Sequence, residues 1–309
     1  MLKEPMDVLL NFPIRKSKKQ KQAFRDVVQA YVTGLGYQCS IEKGSLGSQN
    51  LVIGNPRSAK YLITAHYDTC AHLPFPNLIT PCNPILFLLY QLLVTAILFV
   101  PPTVIGIVVR WLTEDFDAGY LAWYFSLVAM LLLMLVGPAN RHNANDNTSG
   151  VVTLLEIART MPENLRDKVC FVLFDLEEAG LIGSASYRKA HKTDTETQWV
   201  LNLDCVGDGD EIMLFPTKKL RFEEARLDDL EKICGTWGKK SMKLRRKGFA
   251  VYPSDQRHFP LGVGIAAFHR KKGVGLYCSR IHTNRDTVLD QTNVNLLRAA
   301  LITLVSGDK

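Results

Sequence analysis

From Lys18 to Gly34 the apolar residues Phe24, Val27, Val28, Tyr31 and Val32 recur at helical spacing, and Gly34 and Gly36 close the stripe. Short apolar runs follow, starting at Leu51 (LVIG), Tyr61 (YLITA), Val169 (VCFVLF), Trp199 (WVLNL), Ile212 (IMLF), Gly264 (GIAAF) and Gly275 (GLYC). Runs of this length and content suit strands of a buried sheet. Helical patterns lie between several of them, best over 149–161, 181–190, 223–235 and 293–305. The alternation predicts an α/β fold with one extended, largely parallel sheet between helices.

One region breaks the alternation. Residues 84–109 carry no formally charged side chain, and about 20 apolar residues suffice to cross a hydrocarbon core of about 30 Å. Pro101 and Pro102 should kink this run. A second run, 118–137, has Tyr120, Trp123 and Tyr124 at one end, as interfacial aromatics would be placed. The acidic turn RWLTEDFDAG separates the two. We therefore expect a single catalytic domain formed by 1–82 and 138–309, interrupted by a transmembrane helical hairpin at 83–137. A re-entrant pair, or a lid or dimer arm with an apolar surface, is the alternative, although so large an exposed patch is a liability in water.

Composition changes this picture little: 309 residues, 47% hydrophobic and 22% charged, allow one large core or two modest ones. The net charge of +7 comes largely from 15–21, 239–247 and 269–272. Such clusters suit a solvated face or an anionic lipid surface. No helix-turn-helix, zinc-finger or aromatic-basic motif accompanies them, so no nucleic-acid partner is expected. Seven scattered cysteines without a CxxC pair favour a reducing compartment. The N-terminal stretch lacks a signal-peptide pattern. With basic clusters on the catalytic side and Glu114, Asp115 and Asp117 in the turn, the positive-inside rule predicts a two-span membrane protein whose catalytic domain faces the cytoplasm.

Open α/β sheets carry their chemistry beyond the carboxyl ends of strands. There the predicted strands lead to His66 and Asp68, to Glu177 and Glu178, to Asp204 and to His282, while Asp146 stands at the entry of the helix at 149. Two histidines and five carboxylates on one edge would repel and resist desolvation unless cations join them.

In order, the segments HYDT, ANDNTSG, DLEEAGLIGS, NLDCVG and IHTNRDT resemble the di-zinc aminopeptidases of metallopeptidase family twenty-eight, relatives of bacterial leucyl aminopeptidases. The resemblance covers nearly all of the chain outside the apolar insert, and implies a three-layer zinc-exopeptidase fold around a mostly parallel mixed sheet. It implies two divalent ions, zinc first and cobalt or manganese as substitutes, with Asp146 bridging, His66 and Asp204 completing one site, and Glu178 and His282 the other. Asp68 is expected to fix the tautomer of His66, and Glu177 to act as general base for a hydroxide shared by the metals. A cis peptide between Asp146 and Asn147 is implied as well. The segment VYPSDQRHF resembles the family's pocket lining, which makes Tyr252, Ser254, Asp255 and Gln256 candidates for substrate binding, with Gln256 where the family has histidine. Peptides with a free N-terminus would be the substrates. A glutaminyl-cyclase-like transferase and a non-enzymatic membrane adaptor on the same fold are the alternatives.

Overall fold

The computed structural model describes residues 2–307 except 74 and 76. Helices α1 (Asp7–Asn11) and α2 (Lys18–Gly34) come first. Ser17 starts α2 by accepting from the Gln20 amide while the Gln20 side chain accepts from the Ser17 amide, which satisfies two N–H groups that the helix itself cannot. Strands β1 (Cys39–Lys43), β2 (Gln49–Ile53) and β3 (Tyr61–His66) follow. The chain then leaves the domain through α3 (Pro84–Thr113) and returns through α4 (Phe116–Val136). It continues as α5 (Gly150–Thr160), β4 (Val169–Phe174), α6 (Ile182–Ala190), β5 (Trp199–Leu203) and β6 (Glu211–Pro216). Next come α7 (Glu224–Lys232), β7 (Gly235–Trp237), β8 (Lys240–Leu244), β9 (Gly262–Lys271), β10 (Gly275–Tyr277) and α8 (Gln291–Ser306).

The strands form one mixed sheet in the order β1-β2-β4-β3-β5-β9-β6-β8-β7, with β10 paired to the end of β9. Parallel pairing holds across the centre, β4-β3-β5-β9, and between β6 and β8. The flanks are antiparallel. Register decides where the chemistry falls. His66 is paired with Phe174, and Thr64 with Asn202, so the chain beyond β3, β4 and β5 emerges level along one edge.

Strands were found at all seven apolar runs. Beyond them, β1, β7 and β8 are short or mixed in character, and β8 lies inside a stretch that reads as a basic cluster. On one face of the sheet, α1, α2, α5, α7 and α8 enclose the main core, with Phe24, Leu154, Leu230 and Leu301 among its buried residues. On the other, Tyr187 of α6 packs with Phe174 and Phe259.

The basic cluster at 15–21 departs from the expected solvated or lipid-facing surface at two positions, while Lys18 and Lys19 are exposed. Arg15 is fully buried, and Lys21 is buried in a 2.7 Å ion pair with Asp175. Within 239–247, Lys240 is held by Asp210 and Asp290.

The hairpin stands apart in character. Asn83 caps α3 by accepting from the Leu86 amide, and Asp115 caps α4 by accepting from the amides of Asp117 and Ala118. Pro101 and Pro102 lie inside α3. The helices touch backbone to backbone: a β-carbon added to Gly106 would sit 2.9 Å from the Gly119 carbonyl oxygen. Most of the other side chains are exposed. Windows of α3 and α4 have mean hydropathies of 2.5 and 2.0 with only 11% and 6% of their residues buried, so both helices are long and apolar enough to cross a membrane.

Candidate metal centre

Each expected ligand reaches the centre from the end of a structured element. His66 is the last residue of β3; Glu177 and Glu178 follow β4; Asp204 follows β5; His282 follows β10; and Asp146 precedes α5. The chain must turn sharply to deliver them. Leu176, Cys205 and His282 adopt left-handed backbone at φ 57°, 56° and 60°, a conformation that costs residues with a β-carbon about 1–2 kcal/mol. The peptide between Asp146 and Asn147 is cis.

Asp146 is the pivot. Its Oδ1 lies 3.3 Å from His66 Nε2 and its Oδ2 lies 2.9 Å from His282 Nε2. Asp204 Oδ1 approaches the same His66 nitrogen at 3.7 Å, and Glu178 Oε2 approaches His282 Nε2 at 3.5 Å. One carboxylate thus faces two nitrogen-oxygen pockets. Donor atoms of His66, Asp146 and Glu178 fall within 4.8 Å of one another, as do those of His66, Glu177 and Asp204. The other Glu178 oxygen, Oε1, is buried without a hydrogen-bond partner. Nitrogen and carboxylate donors with an unmet acceptor suit divalent cations of the zinc type.

Protonation shows how far the cluster is from electrical balance. Burial first, and then the neighbouring carboxylates, push Glu177 well above the usual range; burial, with Asp146 nearby, pushes Glu178 up to about 8. Burial opposes charge on His282, but Glu178 and Asp146 outweigh it and raise the imidazole to about 9. Burial likewise opposes ionisation of Asp146, and hydrogen bonds from His282 and His66 overcome it, keeping that carboxyl below its ordinary value. The protons held here are ones that cations would displace.

Supporting residues lock the loops together. Asp286 accepts from the amides of Asn145 (2.7 Å) and Asp146 (3.0 Å). Asn147 donates to the Leu203 carbonyl and accepts from Cys205, tying the Asp146 turn to the end of β5. Arg15 donates to the carbonyls of Tyr67 and Phe12 and to Thr148 Oγ1, bracing the turns that carry His66 and Asp146. Sequence reasoning missed all three residues. Asn147 and Asp286 each left a signal, standing inside ANDNTSG and IHTNRDT, motifs already singled out, although neither was given this supporting role.

Asp68 does more than lie beside His66. Its carboxylate accepts from the amides of Glu177 (3.0 Å) and Glu178 (3.2 Å), while His66 Nδ1 lies 3.2 Å from its backbone carbonyl and 3.6 Å from Oδ1. Asp68 therefore orients the glutamate pair by its side chain and the histidine by its main chain. The four substrate-binding candidates also separate. Tyr252 lines the cleft, but its hydroxyl donates to the Asp204 carbonyl at 3.1 Å and is already engaged. Ser254, Asp255 and Gln256 are buried beneath the cleft. Ser254 and Gln256 accept from Asn202, and Gln256 donates to the Tyr252 carbonyl, so they fasten the segment to β5 rather than face a substrate. Asp255 is sealed in, and burial raises its carboxyl to about 7.

The sequence profile described as Peptidase family M28 matches residues 131–305, more than half of the chain. The chain belongs to peptidase family M28. The M28 match includes Asp146, Glu177, Glu178, Asp204 and His282, and begins after His66. Among solved structures, a Zn-dependent exopeptidase from Parabacteroides distasonis superposes with a TM-score of 0.58 at 15% identity, covering 98% of this chain and 96% of that one. The LapA aminopeptidase of Legionella pneumophila gives 0.60 at 14% identity over 99% and 70% of the two chains. A glutaminyl cyclase from Macrostomum lignano gives 0.57 at 13% identity over 97% and 88%. At these identities the likeness is one of fold. No curated protein matches the chain significantly.

Proposed function

We propose that this M28 protein is a membrane-anchored, metal-dependent aminopeptidase. The observation that carries the reading is the division of Asp146, one oxygen toward His66 and Asp204 and the other toward His282 and Glu178. In this reading His66 and Asp204 would hold one divalent ion, Glu178 and His282 a second, and Asp146 would contribute to both. When bound, two zinc ions would supply Lewis-acid polarisation of a peptide carbonyl and a more acidic water. The chain's own residues do the rest. Asp68 holds Glu177 at the cluster through its backbone amide. Glu177 accepts a proton from the attacking water and returns it to the leaving nitrogen as the C–N bond breaks. The carboxylates left over offer a place for the substrate's terminal ammonium, which is what restricts cleavage to the first peptide bond.

The same reading places α3 and α4 across a bilayer. Their exposed apolar surface supports it, as do the acidic turn at one end and Lys16 at the other, where it donates to the Leu135 carbonyl at 2.7 Å. The catalytic domain then faces the cytoplasm.

Metal content measured beside hydrolysis of aminoacyl reporters tests the chemistry. The expected result is about two zinc ions per chain and activity that chelator removes and zinc restores. Activity surviving full metal removal would end this reading, and turnover confined to cyclisation of N-terminal glutamine would replace it with the cyclase. For the anchor, the protein should stay in membranes through an alkaline carbonate wash. A cysteine placed at Asp117 should label from outside intact cells, and one at Lys18 should not.

A further inference from the structure

The cleft that contains the metal-binding cluster is not walled by the catalytic domain alone. It has a volume of about 270 Å³, and beside His66, Asp146, Glu177, Glu178, Asp204 and His282 it is bounded by Phe87, Tyr90 and Gln91, from the first two turns of α3. These positions belong to an uncharged run that otherwise serves a bilayer. Helix α3 has 30 residues and α4 has 21. The nine-residue difference amounts to about 14 Å at 1.5 Å per residue. Because the two helices are level at their connecting turn, this excess falls at the foot of α3, against the catalytic domain.

The foot is fixed in place. The Asn83 side chain donates to the Val274 carbonyl at 3.0 Å, Tyr90 Oη donates to Asn77 Oδ1 at 3.1 Å, and the Phe87 ring packs edge-on against Phe249. Just before it, Ile79 pairs with Cys278 in an isolated bridge, and the Val251 amide donates to the Pro81 carbonyl. Much of the rest of the wall is apolar, with Leu78, Ile79, Val251, Pro253 and Ile281, and its polar members Asn77 and Tyr252 are already bonded, Asn77 to Tyr90 and Tyr252 to the Asp204 carbonyl. The cleft thus combines the charged cluster with apolar lining, and the hairpin supplies part of that lining.

We propose that the foot of α3 is the specificity wall of the enzyme, and that Phe87, Tyr90 and Gln91 select peptides whose N-terminal side chain is bulky and apolar, of the leucine, methionine or phenylalanine class. This rests on the aminopeptidase reading above. The substrate's ammonium lies toward the carboxylates and its first side chain toward α3. Anchor and selector are then one helix, and a free soluble catalytic domain would have an open-sided pocket.

The test uses the full-length protein in detergent or vesicles, with kcat/KM measured over a panel of aminoacyl amide reporters bearing Leu, Phe, Met, Ala, Lys and Glu, and metal content determined for every variant. Wild type should prefer Leu, Met and Phe. Phe87→Ala and Tyr90→Ala should lower Leu and Phe turnover about 10-fold or more relative to the Ala reporter, the scale expected when an apolar pocket loses a wall, with metal content unchanged. Gln91→Glu, which removes no packing, should raise the Lys reporter relative to Leu. Leu89→Ala, at an outward position where Leu89 is 55% exposed, should leave the profile as it was. A wild-type preference for Lys or Glu, or wall variants that depress all reporters equally, would overturn the proposal. Wild type inactive on every reporter would instead sink the aminopeptidase reading. The wall would then be judged by whether leucine hydroxamate still binds more tightly than lysine hydroxamate, and loses that advantage in Gln91→Glu.

Discussion

Two regions of this molecule invert the usual distribution of polarity, in opposite senses. At the ends of β3, β4 and β5, charged groups are hidden: His66, Asp68, Asp146 and Asp204 are all buried. Along α3 and α4, large apolar groups are bare, with Ile107, Trp111, Phe125 and Val136 each more than 60% exposed. Neither state is stable in water alone. A buried cluster of carboxylates needs counter-charge, and an exposed apolar surface needs something other than water beside it. On the proposed reading the difference teaches that each region is shaped for a partner of opposite chemistry, divalent cations for the first and lipid for the second. Each can be tested by disturbing one region and asking whether the other responds.

The largest effect should come from the polar region. Glu177→Gln is expected to keep its metal and lose about 10²- to 10⁴-fold in kcat, the range for removing a general base, while Glu178→Gln should lose metal as well. Elemental analysis alongside steady-state kinetics separates them, and equal metal loss in both would reverse the two roles. Asp68→Asn comes next. An amide can replace one acceptor but not both, so the Glu177-Glu178 turn loosens, and a fall of about 10- to 100-fold in activity or metal affinity is expected. A retained carbonate-resistant membrane fraction would show that the apolar region is indifferent to this change.

A smaller effect concerns pH. In the metal-free protein Glu178 and His282 both have folded values above their unfolded ones, at about 8 and about 9. Between the ordinary and the raised values the folded state therefore binds more protons than the unfolded state, and stability should fall as pH rises from 4.5, the ordinary value of Glu178, to about 9. Below the ordinary value of each group the contribution is fully present. Zinc reverses the sign, because it binds the deprotonated ligands and its affinity rises with pH. Thermal unfolding of chelated and zinc-loaded protein should therefore show melting temperatures diverging with pH. Parallel curves would mean that the cluster does not take metal. The smallest effect belongs to the hairpin. Gly106→Val forces apart backbones that now touch, at a cost of about 1–3 kcal/mol. Thermal unfolding in detergent should register it, and metal content should not change.

These regions were unequally legible. His66, Glu178 and Asp204 stood out because parallel strands deliver their carboxyl ends to one edge, so short polar motifs after apolar runs point to a common place, whereas Asp146 before α5 and His282 after the antiparallel β10 were legible through the motifs ANDNTSG and IHTNRDT. Arg15 was hidden by its neighbours: in sequence it belongs to a run of lysines, and only the fold shows it enclosed between Tyr67, Thr148 and the ring of Phe24. Strand β8, which lies between β6 and the edge strand β7, was obscured by its own lysines, whose charges are met by Asp210, Asp290 and Glu211. Ser254 and Gln256 look like a binding motif, yet their partners are Asn202 and main chain. Phe87 and Tyr90 posed the opposite difficulty. An uninterrupted apolar run says that water is absent and does not say whether lipid or a neighbouring domain replaces it.

The position of the hairpin in the chain also has a kinetic meaning. His66 and Asp146 lie about 80 residues apart, and the hairpin occupies most of the interval between them. For a flexible chain, closing that loop carries an entropy that grows with its length, whereas a hairpin already paired along Gly106 and Gly119 brings its two feet together and shortens the effective loop to about 25 residues, an advantage of about 1 kcal/mol. The order of events during biosynthesis follows. On the proposed reading the hairpin folds first, as a local structure in the membrane, and the distant halves of the metal-binding cluster then meet as a short-range contact.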